Sequence, residues 1–165
     1  MEIFKNITDY EKYAVSNIGR VINNITGKIL KPMMIKGGYF IVTLCKNGKP
    51  KQFLVHRLVA LTFLDNLENK LFVDHINNIQ TDNRLENLRM VTSTENNQNA
   101  SISKRNTSGI KGVSFQKNAN KWKAQITING KATYIGIFEN IEDAKQARQK
   151  KALEMFGVYM NDCEK

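Results

Sequence analysis

The spacing of apolar positions changes several times along this chain. From residue 3 to 53 apolar side chains come in short alternating runs. Tyr13-Ala14-Val15 stops at Gly19, Val21-Ile22 follows, and Tyr39 to Leu44 reads as a strand after the Gly37-Gly38 turn. Asn47-Gly48 is the dipeptide of a tight hairpin, so Lys51 to Val55 is expected to return beside that strand. Residues 1–53 therefore predict a small antiparallel β unit, with too few apolar groups to be very stable alone. From His56 to Leu64 the period becomes helical, with Leu58, Val59, Leu61 and Thr62 at helix spacings. Leu71-Phe72-Val73 is a short strand, residues 76–86 are a polar loop, and Leu88 to Val91 is a second strand. Thr92 or Ser93 can then cap a helix whose first turn holds Glu95 or Asn96.

Residues 97–108 carry almost no apolar side chain except Ile102. Such a segment predicts a flexible linker, and its Lys104 and Arg105 could follow a phosphate backbone. Beyond it, Ile110 to Gln116 forms a strand. Trp122, Ala124, Ile126 and Ile128 alternate with Lys123, Gln125 and Thr127. Asn129-Gly130 is a second hairpin turn, Ala132 to Phe138 a third strand, and Ile141 to Phe156 an amphipathic helix ended by Gly157. Its apolar stripe is expected to run through Ala144, Ala147, the Lys151 stem, Ala152 and Met155 or Phe156. The fold class is α+β, divided into residues 1–53, 54–99, a linker at 100–109, and a three-stranded sheet packed by one helix at 110–160.

Charge narrows the partners. The chain has 165 residues and a formal net charge of +10, with basic residues spread along its length. That sign attracts polyanions. No segment has the apolar length of a membrane span, and no long helix pairs a basic face with an apolar one. Nucleic acid is the favoured partner and the host cytoplasm the expected compartment. Cys45 and Cys163 lie far apart and suit two reduced thiols better than a zinc site.

The candidate chemistry sits between Val73 and Asn99. Asp74 is a hard oxygen ligand suited to Mg²⁺, and His75 is a base that titrates near neutral pH. Asn87 and Asn96 can orient or ligate without adding charge. A metal ligand, a base and amides in a basic protein point to hydrolysis of a phosphodiester. His56 could touch a phosphate, or make a structural hydrogen bond at a helix start. Arg57 could reach DNA or be a solvated cation. Asn83 and Glu86 suit loop hydrogen bonding better than metal binding, and Trp122 suits core packing better than base stacking.

The residues just named carry a family resemblance. Val-His-Arg-Leu-Val-Ala at 55–60, Val-Asp-His at 73–75, Asn-Arg-Leu-Glu-Asn-Leu-Arg at 83–89 and Val-Thr-x-x-Glu-Asn at 91–96 resemble the HNH endonuclease motif of phage and intron-encoded homing endonucleases. The resemblance implies a ββα-metal core at 54–99. It makes His75 the general base, Asn87 the residue that holds the loop and base, and Asp74 and Asn96 the ligands of Mg²⁺ or Mn²⁺. Asn96 stands where many relatives have histidine, which implies weak metal binding completed by the DNA phosphate. Tyr10 to Val21 resembles the modular DNA-binding element that precedes such motifs.

The last section is similar to the ethylene-response-factor type DNA-binding domain, through Gly109-Ile110-Lys111-Gly112-Val113, Lys121 to Ile126, Tyr134 to Phe138, and Glu142-Asp143-Ala144. In that fold the sheet enters the major groove. Ser114, Gln116, Lys123, Gln125 and Thr127 alternate onto the face away from the core, and Lys111 and Tyr134 fall at family contact positions. The strand arginines of plant members are missing here, so their GC-rich specificity is not expected. The implied function is a site-specific, Mg²⁺-dependent endonuclease on double-stranded DNA that nicks one strand per monomer, with a dimer as the other option. A DNA-binding regulator with an inactive motif is the alternative, and an RNA-binding accessory protein a third reading.

Overall fold

The computed structural model describes residues 1–164, and its contacts divide the chain into two compact units, Met1–Thr92 and Ser93–Lys165. The first unit opens with β1 (Phe4–Ile7), β2 (Tyr10–Ser16) and β3 (Val21–Asn23), an antiparallel sheet in that order. A second sheet joins β4 (Met33–Met34), β5 (Phe40–Lys46) and β6 (Lys49–Leu54). Asn47 and Gly48 link β5 to β6 with φ of 53° and 75°, the left-handed pair that a two-residue hairpin requires. Helix α1 (Val55–Phe63) follows directly, then the hairpin of β7 (Phe72–His75) and β8 (Leu88–Val91).

One core runs through these elements apart from β4, whose two methionines are exposed. Val15 of β2, Val42 and Leu44 of β5, Val55, Leu58 and Val59 of α1, and Leu88 of β8 pack in a single cluster. The 55–58–59 spacing is one face of a helix, so α1 lays its apolar stripe on the first 53 residues. The division at residue 53 inferred from composition is thus bridged by a shared core.

The second unit holds α2 (Ser93–Gln98), β9 (Val113–Gln116), β10 (Lys121–Ile128), β11 (Lys131–Phe138) and α3 (Ile141–Phe156). The sheet is antiparallel with β10 central. Asn129 and Gly130 make its hairpin at φ of 50° and 77°. Asn140 caps α3 by accepting from the Asp143 N–H at 2.9 Å, and Glu142 and Asp143 complement the helix dipole. Val113, Ala124 and Ala144 form one cluster, on which Trp122 packs half-buried.

The buried stripe of α3 differs from the expected one. It is Ala144, Arg148, Ala152 and Phe156, while Met155 is exposed. Arg148 escaped notice because it is charged. Its guanidinium pairs with Glu164 at 2.6 Å, and Glu164 also takes Lys111 at 3.0 Å. Partnership of this kind is what lets ionised side chains sit in a core. The expected linker is organised by local turns. Asn106 accepts from Gly109 N–H and donates to the Ile110 carbonyl, and Ser108 Oγ donates to the Val113 carbonyl at 2.7 Å. Asn99 is buried and bonded by the Asn161 amide. By contacts α2 groups with the second unit, whereas its sequence pattern groups it with 54–99.

Candidate active site

Strands β7 and β8 pair Asp74 with Arg89 and His75 with Leu88. Asp74 and His75 end β7, and both are buried. The cross-strand partner of Asp74 is also its charge partner. Arg89 donates from Nε at 2.9 Å and from Nη2 at 2.8 Å to Asp74 Oδ2.

His75 is held by a residue that the sequence reading assigned to loop turns. Asn83 is buried, and its Oδ1 lies 3.2 Å from His75 Nε2. An amide oxygen only accepts, so the proton belongs on Nε2 and the ring's lone pair on Nδ1. Burial is the largest effect on His75 and lowers its pKa, opposed by the Asn83 bond and by the charges of Asp74 and Asp82. The ring is therefore biased toward the neutral form, the form a base needs.

Asn87 staples the loop between the strands. Its Oδ1 accepts from the Asn77 N–H at 3.0 Å, and its Nδ2 donates to Asn77 Oδ1 at 2.9 Å and to the Asp82 carbonyl at 2.8 Å. It braces the chain that carries Asn83. Asp82 is fixed by Arg84, with contacts of 2.8 Å to both carboxylate oxygens, and that pairing pulls its pKa to about 2. The N-terminal sheet closes on the same loop. Leu85 N–H donates to the Asn17 carbonyl at 2.8 Å. Gly19, at φ 87°, approaches so closely that a Cβ there would lie 2.9 Å from Asn83 Cβ.

Behind His75 stand two more rings. The His56 ring centroid is 4.9 Å from that of His75, and Tyr39 is 5.1 Å from His56 and 6.0 Å from His75. His56, the second residue of α1, is buried, and its Nδ1 has no hydrogen-bond partner among the described residues. The structural hydrogen bond expected at the helix start is not made at that nitrogen. Burial, then the neighbouring His75 and Arg57, hold its pKa down at about 4.

Asn96 lies half-buried on α2, in the second unit, while Asp74, His75 and Asn87 belong to the first. Arg57 donates to the Leu71 carbonyl at 3.2 Å. Lys104 and Arg105 are exposed. Lys111 departs most from expectation: its ammonium bonds Glu164 and the Gln98 carbonyl at 2.9 Å, so its charge is used inside the unit. Ser114, Gln116, Thr127 and Tyr134 are exposed, and Lys123 and Gln125 half-buried. The sheet register sets Lys123 opposite Ser114 and Gln125 opposite Tyr134, so these four share the outer face.

Sequence patterning gives no role to Tyr39, Gly19 or Arg89, and assigns Asn83 and His56 contacts other than those found here. Asn83 opens the 83–89 motif and His56 is the other histidine, which were the available signals. A β-hairpin that carries a buried Asp-His pair, with an asparagine-stapled loop between its strands, defines a nuclease-type site. Comparison with known proteins agrees. Residues 53–98 match the HNH endonuclease family model, and residues 2–45 match the NUMOD4 motif. The chain is 44% identical over 97 residues to the DNA endonuclease I-HmuI of Bacillus phage SP01, covering 58% of this chain and 56% of that protein. It is 51% identical over 104 residues to the uncharacterized HNH endonuclease L247 of Acanthamoeba polyphaga mimivirus, covering 60% of this chain and 26% of that protein. A solved structure of I-HmuI, described as DNA binding and cleavage by the HNH homing endonuclease, superposes with a TM-score of 0.57 at 32% identity. The match spans 94% of this chain and 83% of that one. The chain belongs to the HNH endonuclease family. It spans less than two thirds of the length of the curated relatives it matches first.

Proposed function

We propose that the chain is a homing-type endonuclease that hydrolyses a phosphodiester of double-stranded DNA and nicks one strand per monomer. The observation that carries this reading is His75, buried at the end of β7 with Nε2 against Asn83. A neutral imidazole held in this way can take the proton of an attacking water. Asn87 keeps the loop, and hence Asn83, in the position that fixes the ring. The outer face of β9–β11, with Lys104 and Arg105 before it, would hold the duplex.

The donor set suits a hard divalent cation such as Mg²⁺ or Mn²⁺. Asp74 would supply a carboxylate, and the family pattern gives the amide oxygen of Asn96 as a further ligand. Among the described residues no group of three or more His, Cys, Asp or Glu side chains forms a closed cage. Few protein ligands match an ion that keeps water and takes oxygens from a phosphate. When bound, the ion supplies positive charge for the departing 3′ oxygen.

Supercoiled plasmid carrying a library of inserts provides the test. Nicked circles should form with Mg²⁺ or Mn²⁺ and not with chelator, and His75→Ala should lower the rate by about 100-fold or more. Intact plasmid under every divalent ion, or equal cutting by His75→Ala, would overturn the reading. The Arg89 pair on Asp74 favours one rival, a DNA-binding regulator with a quiescent site, because it competes for the carboxylate. Tight duplex binding without cutting would select that rival.

A further inference from the structure

The outer face of the C-terminal sheet can be read for base preference as well as for binding. Residues 113–138 contain four lysines and no Asp, Glu or Arg. The charged side chains of this stretch are all lysines, of which Lys121 is paired with Glu139 at 2.7 Å, and it has no arginine, whose planar fork matches the guanine edge in a bidentate pair. The register fixes what the face shows. Lys123 pairs with Ile137, Gln125 with Tyr134 and Thr127 with Ala132. A bulge after Ala124 turns Ile135 inward onto the α3 core and leaves Ile137 outward. Ile137 is 43% exposed beside a lysine. Ile137 belongs to neither core cluster of this unit and is a large aliphatic side chain on a mainly polar face.

We infer that the outer face of β9–β11 reads A·T base pairs in the major groove, with Ile137 packing on a thymine methyl and Gln125 pairing with adenine. The inference rests on the nuclease reading above for its ligand class, duplex DNA. Strand spacing of ~4.8 Å puts the outer strands about 10 Å apart, a width that suits a groove of ≈ 12 Å. Adenine offers N7 and N6–H₂, which a Gln amide matches in a bidentate pair. Thymine presents a C5 methyl to apolar atoms. Ile137, the Thr127 methyl and Ala132 supply such atoms on two adjacent strands. Lys123 sits between the apolar and amide positions and supplies charge toward phosphate. The acidic residues that would accept from cytosine N4 are absent from all three strands.

The test uses the full chain with His75→Ala, so that binding is read without cutting. Duplexes are selected from a random pool, and single thymines in the selected site are then replaced by deoxyuridine, which deletes only the methyl. A·T pairs should dominate the positions that the sheet protects. Deoxyuridine at the contacted position should weaken binding about fourfold, the value of one buried methyl-sized group. Ile137→Ala should bind the thymine duplex about as weakly as the parent binds the deoxyuridine one, and should no longer distinguish them. Ile137→Val should keep the distinction, and Gln125→Ala should relax the adenine preference in a folded chain. Equal affinity for thymine and deoxyuridine duplexes, guanines at the protected positions, or an Ile137→Ala that still discriminates would overturn the inference. The plasmid assay on the unmodified chain separates the two failures. Cutting without methyl discrimination removes this inference alone, and no duplex binding at all removes both.

Discussion

At the scale of single residues the site depends on how two imidazoles are kept. His75 is held neutral and oriented, and His56 is buried behind it with a pKa near 4. A depressed folded pKa means that the unfolded chain takes up the proton first. The stability due to neutral His56 is thus complete above about pH 6.5 and is lost as the pH falls toward 4. His75 shifts in the same direction. Unfolding free energies from urea titrations across that window should fall by up to about 1.4 kcal/mol per pH unit for each such proton. His56→Phe should remove one proton's share of the slope. An unchanged slope in that variant would show that the cost lies elsewhere. Asp82 acts in a lower window, since its stabilising charge is lost only as the pH falls from about 3.8 toward 2.

Much of this chemistry was legible as residue types. Asp74, His75 and Asn87 announced themselves by their spacing between two strands. Asn83 did not, because an asparagine in a polar loop has many local uses. Only the fold shows that its amide points at the imidazole rather than back at its own turn. Lys111 misled for the opposite reason. Its position matched a contact site, but its partner Glu164 lies 53 residues later and carries no periodic signal.

At the scale of elements, periodicity served well where one face of an element is apolar. The alternation of β10 and the extent of α3, Ile141–Phe156, follow from it. It served poorly at β4, only two residues long and exposed, and at the 100–109 segment, whose turns are made by Asn106 and Ser108 side chains. The element with most leverage on the site is the turn after β2. Gly19 is needed twice, for its positive φ and for the room its missing Cβ leaves beside Asn83. Gly19→Ala should cost roughly 1–3 kcal/mol and should slow nicking more than the lost stability explains, because Asn83 must move. Gly27→Ala is the control. Its φ is 67°, but nothing lies within 4 Å, so it should destabilise without a specific loss of cutting. Thermal melts and plasmid nicking rates on both variants decide this. Equal rates in the two would break the link from turn to base.

At the scale of the whole molecule the formal charge of +10 is the dominant fact. A good share of the cationic groups is already committed to internal or neighbouring carboxylates, as with Arg89, Lys111 and Arg148. Those cations release no counterions on binding, so the salt dependence of duplex affinity should reflect only the outward-facing lysines and arginines. A plot of log affinity against log salt should be steep, and Lys104→Ala with Arg105→Ala should reduce its slope by about two phosphate contacts. Lys111→Ala should leave that slope unchanged. A flat plot for the parent chain would contradict the polyanion reading. No helix among the described residues is long and apolar enough to cross a membrane.

The hairpin between β10 and β11 has a bearing on how the protein ages. Its corner is Asn129-Gly130, and Gly offers the asparagine side chain a backbone nitrogen with no Cβ to shield it. Succinimide closure there, followed by hydrolysis, would leave an aspartate or isoaspartate at the tip of a hairpin whose two strands carry lysine and no carboxylate. Stored protein would then lose duplex affinity while its imidazole chemistry stayed intact, and the damaged fraction would be found by its more acidic mobility.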